Sequence, residues 1–253
     1  MKMHVLSGGR LRLRRSVYYA EADRAEMIEL PVPCVLLRHS QGNVLFDTGC
    51  HPVTLTDAAS RWGGMEKFMT PVAREDELLL HGLAGLGLGA ADIDVVVNSH
   101  FHSDHCGCNE FFTRATVYCH RAELEAAEAP DGVRNGYMSA DWRHPMPLRA
   151  LEGEHDLFGD GRMQLLPLPG HTPGSMGALV TLDRDGRFLL AGDAAALRVN
   201  LERQSISRNT WNADLAAKSL LEIRRIEAGG ATVLHGHDPD QWGSLRKGAD
   251  AYG

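Results

Sequence analysis

Ser99-His100-Phe101-His102-Ser103-Asp104-His105 is the stretch on which the reading of this chain turns. It follows Ile93–Val97, a β-branched run that predicts a buried strand reaching Asn98. His100, His102, Asp104 and His105 can all ligate a metal and lie within six residues of one another. His100 and His102 stand two apart on an extended segment, so both side chains leave the same face. Ser103 is predicted to N-cap a helix starting at Asp104. That turn would aim Asp104 and His105 differently from the first pair, an arrangement that suits two neighbouring ions better than one.

Three further segments extend the pattern. Pro169-Gly170-His171-Thr172-Pro173-Gly174-Ser175 puts His171 in a turn held by glycine and proline between two predicted strands. Ala191-Gly192-Asp193 puts a carboxylate just past another strand, and Leu234-His235-Gly236-His237-Asp238 puts histidines at the end of the last one. Ligands collect at strand ends in sheets flanked by helices, because side chains from several strands converge there. A histidine in one turn, or an aspartate after one strand, is usually only a turn former. The order of the four segments along one chain carries the argument.

Composition sets the bounds. The chain has 253 residues, 43% hydrophobic and 23% charged, enough for an ordinary core and incompatible with wholesale disorder. Neither a repeat nor a linker interrupts it, so residues 1–253 are expected to form one domain. The net charge of −7 argues against nucleic-acid binding, which needs a basic face. Thirteen histidines against five tyrosines is a surplus that asks whether the histidines cluster. The five cysteines, Cys34, Cys50, Cys106, Cys108 and Cys119, are odd in number and irregularly spaced, which predicts reduced thiols rather than a disulfide framework. No apolar run is long enough for a signal sequence or a membrane span, so a cytoplasmic protein without a membrane partner is expected.

Alternating and apolar runs predict strands at Leu11–Arg14, Val32–Arg38, Val44–Phe46, Thr116–Cys119, Arg162–Leu168, Gly177–Leu182, Phe188–Ala191 and Ala231–Leu234. Helices are predicted at Glu75–Leu86, Arg121–Ala129 and Asp214–Glu227, with another after Asp240. Residues 51–72, 130–147 and 194–213 read as loops.

His-x-His-x-Asp-His, then Pro-Gly-His-Thr-Pro-Gly, then Gly192-Asp193, then Gly236-His237-Asp238, together with Phe46-Asp47-Thr48-Gly49, resembles the metallo-β-lactamase superfamily. Pro33-Cys34-Val35-Leu36-Leu37, Gly107-Cys108-Asn109 and Gly236-His237-Asp238-Pro239-Asp240-Gln241-Trp242 resemble its N-acyl homoserine lactonases. The resemblance implies an α/β fold of four layers, the αββα sandwich, with two divalent metal ions along one edge. By position, His100, His102 and His171 would hold one ion, and Asp104, His105 and His237 the other, with Asp193 bridging. Zinc suits this nitrogen and carboxylate set, and Fe, Mn or Co also fit. Asp47 would orient a ligand histidine, and His235 would stand beside the site. Cys106 and Cys108 are read as small buried hydrophobes.

The implied reaction is hydrolysis of a small-molecule lactone, with Asp104 holding or relaying the proton. An ester, thioester, amide or phosphodiester on the same site is the alternative, and Arg198, Arg203 and Arg208 would suit a phosphodiester. The resemblance also implies a homodimer. Two positions depart from the lactonases: Ala196 stands where they carry a tyrosine three residues after the bridging aspartate, and Ser103 replaces an aromatic residue. A roomier pocket is expected, with Phe68, Met138 and Trp211 along its walls.

Overall fold

A computed structural model describes residues 1–253. The first half is built on β1 (Lys2–Arg14), β2 (Met27–His39) and β3 (Gly42–Phe46), an antiparallel meander. It continues through α1 (Thr54–Trp62), β4 (Thr70–Pro71), α2 (Leu79–Gly85), β5 (Val95–Val97) and α3 (Ser103–Cys106). Then come β6 (Thr116–His120), α4 (Arg121–Glu128), α5 (Ser139–Trp142) and β7 (Leu148–Leu151). These strands form one sheet in the order β4-β1-β2-β3-β5-β6-β7, with β3, β5, β6 and β7 parallel.

The second half contains β8 (His155–Asp156), β9 (Met163–Pro167), β10 (Met176–Thr181) and β11 (Arg187–Leu190). It ends with α6 (Arg198–Arg203), α7 (Ala213–Ala228), β12 (Ala231–Leu234) and α8 (Pro239–Ser244). Its sheet runs β12-β11-β10-β9-β8.

Period-two alternation sorts the side chains into layers. Val35 and Leu37 of β2, Val44 and Phe46 of β3, Ala178 and Val180 of β10 and Phe188 and Leu190 of β11 meet between the two sheets. Their neighbours Cys34, Leu36 and Leu45 face outward beneath Leu79 and Leu83 of α2. Leu189 and Ala191 face the other way, onto Leu220, Ile223 and Ile226 of α7. Each sheet is thus covered by helix on one side and by the other sheet on its second side, the expected αββα sandwich. No helix is long and apolar enough to cross a membrane.

Residues 51–72 are not a loop. Trp62 is fully buried at the end of α1, and Arg61 reaches the buried Asp141, so packing makes a helix of a segment without a clear apolar period. Within 194–213, residues Arg198–Arg203 form α6, which buries Leu201 against α7. The helix expected at Glu75–Leu86 is split: Glu75–Glu77 form a tight turn in which the Glu77 carboxylate accepts the Arg74 amide, and α2 begins afterwards. The strands β4, β7 and β8 are short edge pieces whose pattern is too brief to read. Ser103 caps nothing: His102, with extended backbone, is the residue preceding α3, and Ser103 is its first helical residue.

Just after β3, the chain is pressed against a bulge of β1. Gly49 has φ +74°, and a Cβ there would lie 2.4 Å from the Gly8 Cα. Cys50 donates its amide to the Gly8 carbonyl at 2.7 Å. Gly49→Ala would force these backbones apart and hold alanine in a left-handed conformation. A loss of roughly 3 kcal/mol in unfolding free energy is expected from that strain, measured as a lowered urea midpoint.

Candidate metal centre

The centre lies past the C-terminal ends of β3, β5, β11 and β12 and at the turn between β9 and β10. Alternation in the motif is what aims it. Phe101 turns into the core, fully buried and stacked on Trp142 at 5.6 Å, so His100 and His102 face the opposite way. Asp47, at φ 61° beyond β3, accepts the Ser99 amide and hydroxyl, both at 2.7 Å, which fastens the end of β3 to the motif. His171 comes from the β9–β10 turn, where a Cβ on Gly174 would sit 2.2 Å from the Glu123 amide nitrogen. Glycine is therefore required for that turn to approach α4.

Three donor groups result. His100, His102 and His171 form one; Asp104, His105 and His237 form another; His100, His105 and Asp193 link them. Within each group all donor atoms lie within 4.8 Å of one another. The Asp193 carboxylate spans the assembly: Oδ1 is 3.0 Å from His237 Nε2 and 3.4 Å from His105 Nε2, while Oδ2 is 3.4 Å from His171 Nε2.

Partners behind the rings fix which nitrogen faces inward. The Pro31 carbonyl can only accept, so His237 carries its proton on Nδ1, 2.8 Å away, and turns a bare Nε2 to the centre. The Asn135 carbonyl likewise takes His102 Nε2–H at 3.2 Å and leaves Nδ1 free. The Asp47 carboxylate holds His105 Nδ1 at 2.9 Å. Inside the cage, nitrogen meets nitrogen: His102 Nδ1 is 3.1 Å from both His100 Nε2 and His171 Nε2.

Burial, aided by neighbouring imidazoles, holds His100 well below the ordinary histidine range, and burial pushes His171 down to about 3. Burial also opposes protonation of His105 and His237. There the carboxylates, Asp104, Asp193 and Asp47 around His105 and chiefly Asp193 at His237, outweigh it and raise both. Asp193 is held well below the usual carboxylate range, burial being overcome by His237, His105 and His171. The cage therefore presents bare imidazole nitrogens on one side and favours positive charge on the other. Converging lone pairs, and buried carboxylate oxygens Asp104 Oδ2 and Asp193 Oδ1 that no N–H or O–H satisfies, fit divalent cations.

The remaining expected residues fall around this cage. His235 turns away, its Nδ1 3.1 Å from the Ala195 carbonyl, and so steadies the turn that bears Asp193. Cys106 and Cys108 are buried thiols whose ionisation burial opposes. A cavity of about 380 Å³ opens from His102 and His171, walled by Asn135, Tyr137, Arg208 and Trp211. Trp211 is the one expected pocket residue that lines it. Phe68 is 80% exposed on the surface, Met138 stands half-buried just before α5, and Ser103 is buried beside Asp141. Arg198 lines a separate cleft with Glu202, and Arg203 donates to the Tyr19 hydroxyl, so neither arginine faces the cage.

Ala196 does not leave the expected room. It packs with Trp62, Leu197 and Tyr18, and the Tyr18 hydroxyl donates to Asp193 Oδ2 at 3.1 Å. Burial and the nearby Asp193 keep that phenol protonated. Tyr18 lies outside every sequence motif, and its approach to Asp193 across 175 positions leaves no local signal. Glu123 was equally silent, reading as an acid in the first turn of α4. It is buried, and it accepts Phe101 N at 2.9 Å, Gly174 N at 3.0 Å and the Thr172 hydroxyl at 2.7 Å. One carboxylate thus bolts the His100–His102 segment to the His171 turn.

The metallo-beta-lactamase superfamily profile matches residues 27–247. Over 259 aligned positions the chain is 32% identical to N-acyl homoserine lactonase AttM of Azorhizobium caulinodans, covering all of this chain and 98% of that one. It is 27% identical to an N-acyl homoserine lactonase of a Bacillus species, covering 95% of this chain and 94% of the other. Among solved structures, an N-acyl homoserine lactone hydrolase with N-hexanoyl-L-homoserine bound at its catalytic metal centre superposes with a TM-score of 0.89 and 26% identity. That superposition covers 99% of this chain and 98% of the other. The chain is a hydrolase by descent as well as by architecture, and it belongs to the metallo-β-lactamase superfamily.

Proposed function

We propose that this protein opens the ring of N-acyl homoserine lactones by hydrolysing the ring ester. The observation that carries the reading is the Asp193 carboxylate, whose two oxygens face different donor groups. The names of its relatives agree with it. Two divalent ions in the cage, with zinc favoured by the donor set, would polarise the ester carbonyl and bring the pKa of water toward neutrality.

The protein supplies the rest. His100, His102 and His171 would hold one ion and Asp104, His105 and His237 the other, with Asp193 between the two groups. Asp47 fixes the His105 ring. Asp104 Oδ2, buried and 3.5 Å from both His105 Nε2 and His237 Nε2, is placed to take a proton from the attacking water. It then returns the proton to the ring oxygen as the bond breaks. The lactone sits over the cage, and its acyl arm runs into the cavity along Trp211, whose amide is tied to the His171 carbonyl at 3.0 Å. The product is an N-acyl homoserine carrying a free hydroxyl and a carboxylate.

The test joins metal analysis to a substrate panel. About two ions per chain are expected. Removing them with a chelator should abolish ring opening and lower the melting temperature, and adding them back should restore both. Acyl homoserine lactones should be opened in preference to a thioester and a phosphodiester. Lactone opening no faster with metal than without it overturns the proposal.

A further inference from the structure

We propose that Tyr18 is a positioning residue of the cage: its phenol holds the Asp193 carboxylate in the orientation in which each oxygen serves a different donor group. The proposal rests on the two-ion reading above. A carboxylate rotates readily about its last torsion, so a bridging geometry has to be held by partners on its oxygens. The bare Nε2 of His237 stands 3.0 Å from Oδ1 and donates nothing to it, whereas the Tyr18 hydroxyl donates to Oδ2 at 3.1 Å. A donor at Oδ2 opposes rotation of that oxygen out of line with His171.

The phenol is itself held from two sides. Its ring lies against the His237 ring, with centroids 5.3 Å apart, and packs among Trp62, Ala196 and Leu197. Its backbone carbonyl accepts from Asn200 Nδ2 at 2.7 Å and from the Ser207 hydroxyl at 3.1 Å. Arg208 donates its amide to the Val17 carbonyl at 2.7 Å. The segment following Asp193 in sequence therefore clamps the segment that brings the hydroxyl. A tyrosine placed only to fill space would not need its polar end on the one carboxylate shared by both donor groups.

The experiment compares wild type, Tyr18→Phe and Tyr19→Phe, each reconstituted with Co²⁺. Tyr18→Phe removes one oxygen and little volume. It is expected to fold and take up two ions, but with an altered visible absorption spectrum and faster loss of cobalt to a chelator, by about 10-fold or more. Turnover kcat should fall by a similar factor with KM little changed. Tyr19→Phe loses a surface hydroxyl that donates to Glu21 at 2.8 Å and should match wild type in every readout. Ser207→Ala, which loosens the Tyr18 carbonyl and leaves the phenol, should move the spectrum the same way by less, and serves if Tyr18→Phe does not fold. A Tyr18→Phe spectrum and cobalt release identical to wild type overturn the proposal, as does an equal effect from Tyr19→Phe. Wild type that binds no cobalt instead overturns the two-ion reading itself.

Discussion

Asp193→Ala is expected to lose both metal occupancy and lactone opening, with kcat/KM down by about 10³-fold or more, equivalent to roughly 4 kcal/mol of transition-state stabilisation. Asp193 faces members of both donor groups, and its negative charge would offset the positive charge of the ions. On the proposed two-ion reading, its removal would leave each ion with one ligand fewer and nothing to set the distance between them. Asp193→Asn keeps the shape but gives up the negative charge and one donor oxygen, so it should fold and still fail. Metal analysis alongside lactone hydrolysis checks both variants. Full activity with two ions in either one would overturn the site described here.

Glu123→Ala should be the most damaging change away from the cage. It strips the acceptor from the Phe101 amide, the Gly174 amide and the Thr172 hydroxyl in one step, in a place water does not reach. Unsatisfied buried donors cost about 1–3 kcal/mol each, so a loss of roughly 4 kcal/mol is expected in a urea titration. The metal consequence is asymmetric. His100 and His102 lie on one side of this bolt and His171 on the other, whereas Asp104, His105 and His237 are held elsewhere. Metal content should therefore fall from about two ions per chain toward one. Glu123→Gln keeps the size and one acceptor oxygen and should lose about 1–2 kcal/mol. A loss of both ions together, or of neither, would show that Glu123 does not align the first donor group.

The side chains that converge on the cage were legible because each sits in a short motif bounded by strand and turn signals. Ser99–His105 and Pro169–Ser175 each carry their geometry locally: alternation aims His100 and His102, and glycine with proline bends the turn around His171. The sheets were legible for a related reason, since apolar runs such as Val95–Val97 and Phe188–Leu190 declare themselves within a few residues. The helix α1 was not, because Trp62 and Arg61 order it through partners distant in sequence. Ser103 misled as a cap because a serine before an acidic residue looks the same whether it precedes a helix or begins one.

The pocket shows the limit most clearly. In the sequence, the small side chains of Ala196 and Ser103 imply vacated space. Only the fold discloses that Tyr18 occupies the neighbourhood of Ala196 and directs a hydroxyl to Asp193, and that Ser103 turns toward Asp141.

By itself the sequence determined the main strands and the candidate donor residues, because strand periodicity and donor spacing are properties of contiguous stretches, and the motifs those donors form carried the resemblance that implied the four-layer architecture. The tertiary structure alone decided what orients those donors. Tyr18, Glu123 and the carbonyls of Pro31 and Asn135 act on the centre from separate segments. A hydrogen bond of about 3 Å between residues far apart in the chain follows from how the layers pack and has no trace in local composition.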